Sequence, residues 1–489
     1  MKKTLAFLFL LGLAAPAPAG FSLGRPAAVK KRVDKLDDKV RAHLAAAAAP
    51  DRAPQIASAA ADSTTTAAGG LVRVSVAASD PDLDALTYVW TSTAGTFGGS
   101  GASVYWLAPP AAGGYALSCA VSDGKLSVST SVYVRAVPGG TIKWKFTAAG
   151  ALNSAPVIGP DGTAYITDLS GDVYAVGAGG AQKWANLGVD LGAMSMSYSP
   201  ALAPDGSVYA VDDGALAVYA FNPDGTVKWS SDMTLLSSPP VSLDAPPVVG
   251  PDGKVYVYDA ASLAVWALDP ATGVAVSTFT DLSGILAAPA AGPNGSIYVA
   301  ANDGTDDLLY AVPAAGLGAA TTTVVNGITM PPAVGADGSV YWTDGSAAYA
   351  AKPDGTAKWL TPFSYTPDTA DIGPLLGGDG NIYVVDTLAG LERLDPATGS
   401  LSRAFTAFPT ALWQPAAAGP DGAVYGVSGG SGADLYSETS GDVLSWGPFT
   451  VQAPGLSIVA APVVTAGGAV YAAADDGSLY SLYTTSKLP

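Results

Sequence analysis

Eight times between residues 155 and 471 the chain repeats one pattern: small apolar residues with Pro, a Pro-Asp-Gly-type turn, then an apolar residue followed by Tyr. The anchor tyrosines are Tyr165, Tyr209, Tyr256, Tyr298, Tyr341, Tyr383, Tyr425 and Tyr471, spaced by 44, 47, 42, 43, 42, 42 and 46 residues. A period of this length, assembled from short apolar runs and turns, marks an all-β fold in which one four-stranded sheet is repeated around an axis. Such a repeat constrains architecture far more tightly than activity.

The second unit shows the parts. Ser199-Pro200-Ala201-Leu202 reads as an inner strand and Pro204-Asp205-Gly206 as a tight turn. Ser207 to Val211 is a second strand, Asp212-Asp213-Gly214 turns again, and Val218 to Phe221 is a third strand. Pro223-Asp224-Gly225 turns into an outer strand, Thr226-Val227-Lys228-Trp229. Asp-Gly turns between runs of four or five apolar residues are hairpin signals, because Gly supplies the positive φ that the turn needs.

The eighth unit reaches its third strand at Leu479 to Tyr483 and has no outer Lys-Trp strand after it. That strand stands at the opposite end, as Thr141-Ile142-Lys143-Trp144-Lys145-Phe146, just before the first unit. An open ring would expose two sheet edges, so the pattern predicts an eight-bladed β-propeller over residues 139–489. Its ring is closed by strand 141–146 pairing beside 478–484.

The phrases Leu268-Asp269-Pro270-Ala271-Thr272-Gly273 and Asn222-Pro223-Asp224-Gly225-Thr226-Val227-Lys228-Trp229 resemble the quinoprotein-type, PQQ-like propeller repeat. Quinoprotein alcohol dehydrogenases share that repeat with non-enzymatic relatives such as the outer-membrane assembly lipoprotein of the β-barrel machinery. The resemblance implies the blade and not the chemistry. It casts Trp144, Trp184, Trp229 and Trp359 as packing residues between blades.

Ahead of the propeller the chain changes character three times. Met1-Lys2-Lys3, an apolar stretch from Leu5 to Ala15 and Ala17-Pro18-Ala19 before Gly20 have the layout of a cleavable export signal over residues 1–19. No later apolar run approaches the roughly 20 residues of a membrane span. These features predict a secreted, periplasmic or cell-surface protein. Residues 20–70 read as helical spacer and linker, with Val29, Val33, Leu36, Val40 and Leu44 on one helical stripe. Residues 71–137 read as a small β-sandwich. Its Ser79-Asp80-Pro81-Asp82-Leu83-Asp84, Trp90, Trp106 and Val121-Ser122-Asp123-Gly124-Lys125 resemble the PKD- or cadherin-like branch of immunoglobulin-like domains. Asp80, Asp82, Asp84 and Asp123 are candidate oxygen ligands for Ca²⁺, a cation that takes several carboxylates. The lone cysteine, Cys119, has no partner for an intrachain disulfide and reads as a buried apolar residue.

Charge and residue usage then narrow the function. The chain carries a net charge of −18, and residues 53–489 hold 13 basic and 37 acidic side chains. Such a body excludes nucleic acid as a partner, since phosphate contacts need a basic surface. The sole His is His43, which leaves the propeller without His-based triads or His metal sites. A PQQ- and Ca²⁺-dependent oxidoreductase remains the enzymatic alternative, with a base and an aromatic floor drawn from dispersed loops. Otherwise no cofactor is expected.

The least repetitive segments are the long connections from each outer strand to the next inner strand. They hold the candidate ligand-face residues Tyr198, Asp232, Phe363, Tyr365, Asp368, Trp413 and Gln414. Loops escape the packing constraint that keeps the strands alike, so binding residues concentrate there. The expectation is a monomeric, exported, non-enzymatic scaffold or binding protein that engages a protein or a polysaccharide. A carbohydrate-binding surface protein is the second alternative.

Overall fold

The structure is a computed structural model. It describes residues 35 and 37–40, and 50–484 apart from 188–195, 237–240, 281–283, 286, 303–304, 315–320, 326–327, 329–330, 345–346, 363–372, 387–389, 406–415, 421, 429–433, 440–442 and 450–456. Lys35 and Asp37–Val40 are helical, as the apolar stripe predicts, and the rest of that stripe lies outside the described residues. So does the export signal.

Residues 55–137 form two four-stranded sheets. One runs in the order Gln55–Ala61, Leu71–Ser79, Ser103–Leu107, Thr96–Gly98, and the other Thr65–Ala67, Ser127–Val137, Gly113–Ser122, Thr87–Ser92. Val72, Val74, Val104, Trp106, Leu117 and Val134 close the core between them, and Cys119 is fully buried beside Val76 and Val121. The linker expected up to residue 70 is therefore corrected. Its Ala- and Ser-rich stretch supplies two strands, one antiparallel to Leu71–Ser79 and one parallel to Arg135, Ala136 and Val137. Small side chains hid the strands because ladder hydrogen bonds use only the backbone, while strand propensity is carried by bulky side chains.

From residue 157 onward the chain lays down sheet after sheet of antiparallel neighbours. Among the described residues there are eight such sheets, seven of four strands and the fourth with one extra short strand. In all eight, the anchor tyrosine pairs with the first residue of the two-residue inner strand, from Val157 opposite Tyr165 to Val463 opposite Tyr471. The last sheet is completed as the sequence predicts. Ile142–Thr147 pairs antiparallel with Ser478–Leu482, placing Trp144 opposite Ser481 and Phe146 opposite Leu479.

Apolar layers between successive sheets hold the ring together. The layer between the second and third sheets packs Tyr209, Val211 and Trp229 against Val255, Val257 and Leu268. The layer between the eighth and first packs Tyr471 and Leu479 against Leu152, Ile166 and Tyr174. Each large side chain buried in such a layer contributes about 1.5–3 kcal/mol.

A polar lock crosses many of the seams at its rim. Outer-strand indoles donate to a turn carbonyl of the next sheet: Trp144 to Ala178 at 2.8 Å, Trp184 to Pro223 at 2.9 Å, Trp229 to Pro270 at 3.0 Å and Trp359 to Pro396 at 3.0 Å. Each indole lies against a glycine of that turn, so close that a Cβ on Gly225 would stand 2.5 Å from the Trp184 ring. Where the outer strand lacks Trp, as at Thr321–Val325, Thr323 Oγ1 donates to the Gly355 carbonyl instead.

The abundant aspartates also serve the turns. Asp205 Oδ1 accepts the Ser207 amide at 2.9 Å, and Asp161, Asp224, Asp337, Asp354 and Asp379 do the same for the residue two positions on. Hydrogen bonds to the charged form hold the carboxyls of Asp224, Asp354, Asp269 and Asp395 below the usual range. A carboxyl whose folded pKa is depressed adds stability that is complete above its unfolded pKa and lost as pH falls through the folded value. The melting temperature should therefore be nearly flat from about pH 8 to about pH 5 and decline below about pH 4. Calorimetry across that range checks it, and a protein equally stable at about pH 3 would refute the structural role of the turn acids.

Candidate functional site

Antiparallel alternation gives the ring two unlike faces. The Pro-Asp-Gly turns gather on one, and the second-to-third-strand turns with the long connections gather on the other. Of the expected ligand-face residues, Tyr198 and Asp232 lie within the described structure. Phe363, Tyr365, Asp368, Trp413 and Gln414 lie outside the described residues.

Asp232 has a structural task. It caps the short 3-10 turn Met233–Leu235, accepting from the Thr234 amide at 2.9 Å and its hydroxyl at 2.6 Å, and Met233 buries into the layer below. Tyr198 is positioned by its backbone, whose carbonyl accepts from Thr167 Oγ1 at 2.9 Å, and its ring is half-buried against the layer of the second and third sheets. Beside it Ser197 donates to Asp213 Oδ2 at 2.9 Å, while Asp213 Oδ1 is buried with no hydrogen-bond partner among the described residues.

The charges of two aspartates reach Tyr198 on this face. Burial pushes the Tyr198 phenol up, and the nearby charges of Asp244 and Asp213 push it further. Tyr258 is pushed up to about 12 by burial, then by Asp244 and Asp259. Asp259 itself accepts from the Ser242 amide at 2.9 Å and so pins the connection that carries Asp244. Asp244 thus lies within electrostatic reach of both phenols. Tyr258, Asp213 and Asp244 were not singled out from sequence. The available signal was Tyr258, the sole aromatic two positions after an anchor tyrosine, where the other units carry Thr, Val or Ala.

The sandwich aspartates lie in the turns at one end of their sheets, with one oxygen of Asp80 and of Asp123 engaged by turn amides and the other, Oδ2, buried with no hydrogen-bond partner among the described residues. Asp80 Oδ1 accepts the amides of Asp82 and Asp84, and Asp123 Oδ1 accepts those of Lys125 and Leu126. Arg52 clasps Asp82 at 2.8 Å, and Lys125 bridges Asp51 at 2.8 Å and Asp84 at 3.2 Å. Among the described residues no three Asp, Glu, His or Cys side chains are disposed to hold a metal ion. The described inner strands are apolar.

A family model described as outer membrane protein assembly factor BamB matches residues 129–405, more than half of the chain. The chain belongs to this BamB family. No curated protein matches it. Among solved structures, BamB from Moraxella catarrhalis is similar over 82% of this chain and 100% of its own, at 16% identity and a TM-score of 0.43. A catalytically inactive virginiamycin B lyase from Staphylococcus aureus, solved with quinupristin, is similar over 58% of this chain and 93% of its own, at 17% identity and a TM-score of 0.42. The selenomethionine-substituted form of that lyase covers the same shares at 17% identity and a TM-score of 0.43. No described helix is long and apolar enough to cross a membrane.

Proposed function

We propose that this BamB-family protein works outside the cytoplasm as a non-enzymatic scaffold, with the long-connection face of its propeller seated on a protein partner. The observation that carries this reading is the use of the repeat's polar residues. Indoles, turn aspartates and the outer lysines Lys183, Lys228 and Lys358 are engaged in seams and turns, which directs recognition to the variable face around Tyr198, Tyr258, Asp213 and Asp244. Aromatic rings with paired polar tips suit a protein interface, where tyrosine combines large area with few rotamers. The family description, an outer membrane protein assembly factor, and the charged-apolar-small layout of residues 1–19 favour an outer-membrane protein as that partner.

The test is copurification from cell envelopes after cross-linking, with the full chain and with Tyr198→Ala plus Asp244→Ala. The expected result is an outer-membrane protein retained by the parent chain and reduced about tenfold by the double variant, with Asp244→Ala alone, at an exposed position, reducing it at an unchanged melting temperature. Calorimetric titration with pyrroloquinoline quinone and Ca²⁺ runs beside it. Stoichiometric binding with turnover of an alcohol or sugar would overturn the scaffold reading.

A further inference from the structure

The outer strands carry a second repeated device, a lysine just before the indole. In the first, second and fifth sheets this lysine is the bulged residue of its strand, skipped by the pairing register. From there it reaches the aspartate of its own sheet's first turn: Lys183 to Asp161 at 2.7 Å, Lys228 to Asp205 at 3.6 Å and Lys358 to Asp337 at 3.0 Å. Lys228 and Lys358 also donate to the hydroxyls of Ser207 and Ser339.

Lys143 occupies the same place in the closing strand. Trp144 pairs with Ser481 and Ile142 with Leu482, so Lys143 is bulged like the others. Its aspartate is missing. In the three sheets just described the turn acid stands four residues before the anchor tyrosine, with Thr163, Ser207 or Ser339 two residues before it, whereas Tyr471 has Gly467 and Ala469 in those places. Lys143 is exposed and has no ion pair among the described residues.

The space beside it is open. A cavity of about 710 Å³ at the seam between the eighth and first sheets is lined by Lys143, Pro160, Val464, Ala466 and Tyr471. Through Val463 to Ala466 it continues into a cavity of about 410 Å³ over Leu376, Ala418 and Pro420 near the axis. Lys143, Gly467 and Ala469 also line a third cavity, of about 320 Å³, which reaches the sandwich at Asp62 and Thr65. The three form one trough, largely apolar toward the axis, with an unpaired cation at its middle.

We propose that this trough docks an extended polypeptide segment of a partner, whose Asp or Glu side chain takes the position of the absent turn aspartate on Lys143. Length favours an extended chain, since three joined cavities make a path and not a pocket. Charge favours a carboxylate, because the same lysine in three sister sheets already holds one in this geometry. Apolar residues flanking that carboxylate would lie over Val464, Ala418 and Leu376. The site is on the turn face, so it is separate from the Tyr198 surface and does not depend on it.

Repeat logic also supplies the test. A Cβ at Gly467 would meet only Thr465 Oγ1, at 3.8 Å, so Gly467→Asp fits and restores the internal partner. The probe is a fluorescein-labelled hexapeptide of Val and Ala with one central Glu, blocked at both ends, alongside its Gln counterpart. Fluorescence anisotropy with the full chain should show the Glu peptide binding about tenfold more tightly than the Gln peptide. Lys143→Met and Gly467→Asp should each abolish that preference, the second by competition from within, with melting temperatures equal to or above the parent. Equal affinity for the two peptides, or full preference retained in Gly467→Asp, would overturn the proposal. So would binding of polygalacturonate but of neither peptide, which would assign the trough to an anionic glycan.

Discussion

Replacing Trp144 by Ala is expected to destabilise the propeller more than the same change at Trp229, although both indoles are nearly buried and both donate to the next sheet. Truncating a buried Trp costs about 3–5 kcal/mol in lost burial and the cavity it leaves. At the Trp229 seam the chain itself runs from the second sheet into the third, so a weakened seam is still tethered. From the eighth sheet too the chain runs on into the next, from Ile142–Thr147 to Val157, but here the covalent break lies inside the sheet, where Ser478–Leu482 is held to Ile142–Thr147 by pairing and packing alone. Trp144 of that strand packs on Tyr471 with ring centroids 5.6 Å apart while its indole reaches Ala178. Losing that indole weakens the layer of Leu152, Ile166, Tyr174 and Leu479 and frees Ser478–Leu482 from its neighbour. Denaturant titration should give the lower midpoint to Trp144→Ala, and amide exchange should show 478–482 losing protection in that variant alone. Equal midpoints with unchanged exchange would mean that the closing strand is an ornament of the ring and not its clasp.

The second large effect is a contrast between two glycines. Gly225 and Gly253 have φ of +86° and +81°, so Ala at either carries the left-handed penalty of about 1–2 kcal/mol. At Gly253 a Cβ would meet nothing within 4 Å, while at Gly225 it would stand 2.5 Å from the Trp184 ring. Overpacking of that kind adds about 1–3 kcal/mol. Gly225→Ala should therefore be the more destabilised by about that difference, and Trp184 fluorescence should shift as its bond to the Pro223 carbonyl breaks. Similar losses in both variants would show that the turn glycines answer to φ alone and that the indole lock yields freely.

Much of this fold was legible because the repeat presents each constraint many times over. Asp205-Gly206 signals a turn by local chemistry, since a carboxylate captures the amide two residues on and Gly takes the positive φ. Local chemistry needs no distant partner to be read. The closing strand was legible for a different reason, as the one piece missing from an otherwise regular count. Gln55–Ala61 was not legible: its small side chains carry little strand signal, and its pairing partner, not its composition, makes it a strand. The candidate site was read in part. Tyr198 was found because its segment breaks the repeat, whereas Asp213 sits in a regular turn of the second sheet and Tyr258 in a regular strand of the third, and nothing local marks either.

Local and periodic interactions therefore decided the strands, the turns and the number of units, because these depend on residues within one period of each other. The neighbours across a seam were decided in three dimensions, where sheets about 40 residues apart in sequence come into contact. Sequence shows a lysine before Trp144 and a glycine before Tyr471 as two unrelated facts, separated by more than 300 residues. Only closure of the ring lays them side by side, and a cation becomes available for binding when the partner its sisters hold is absent at that place in space.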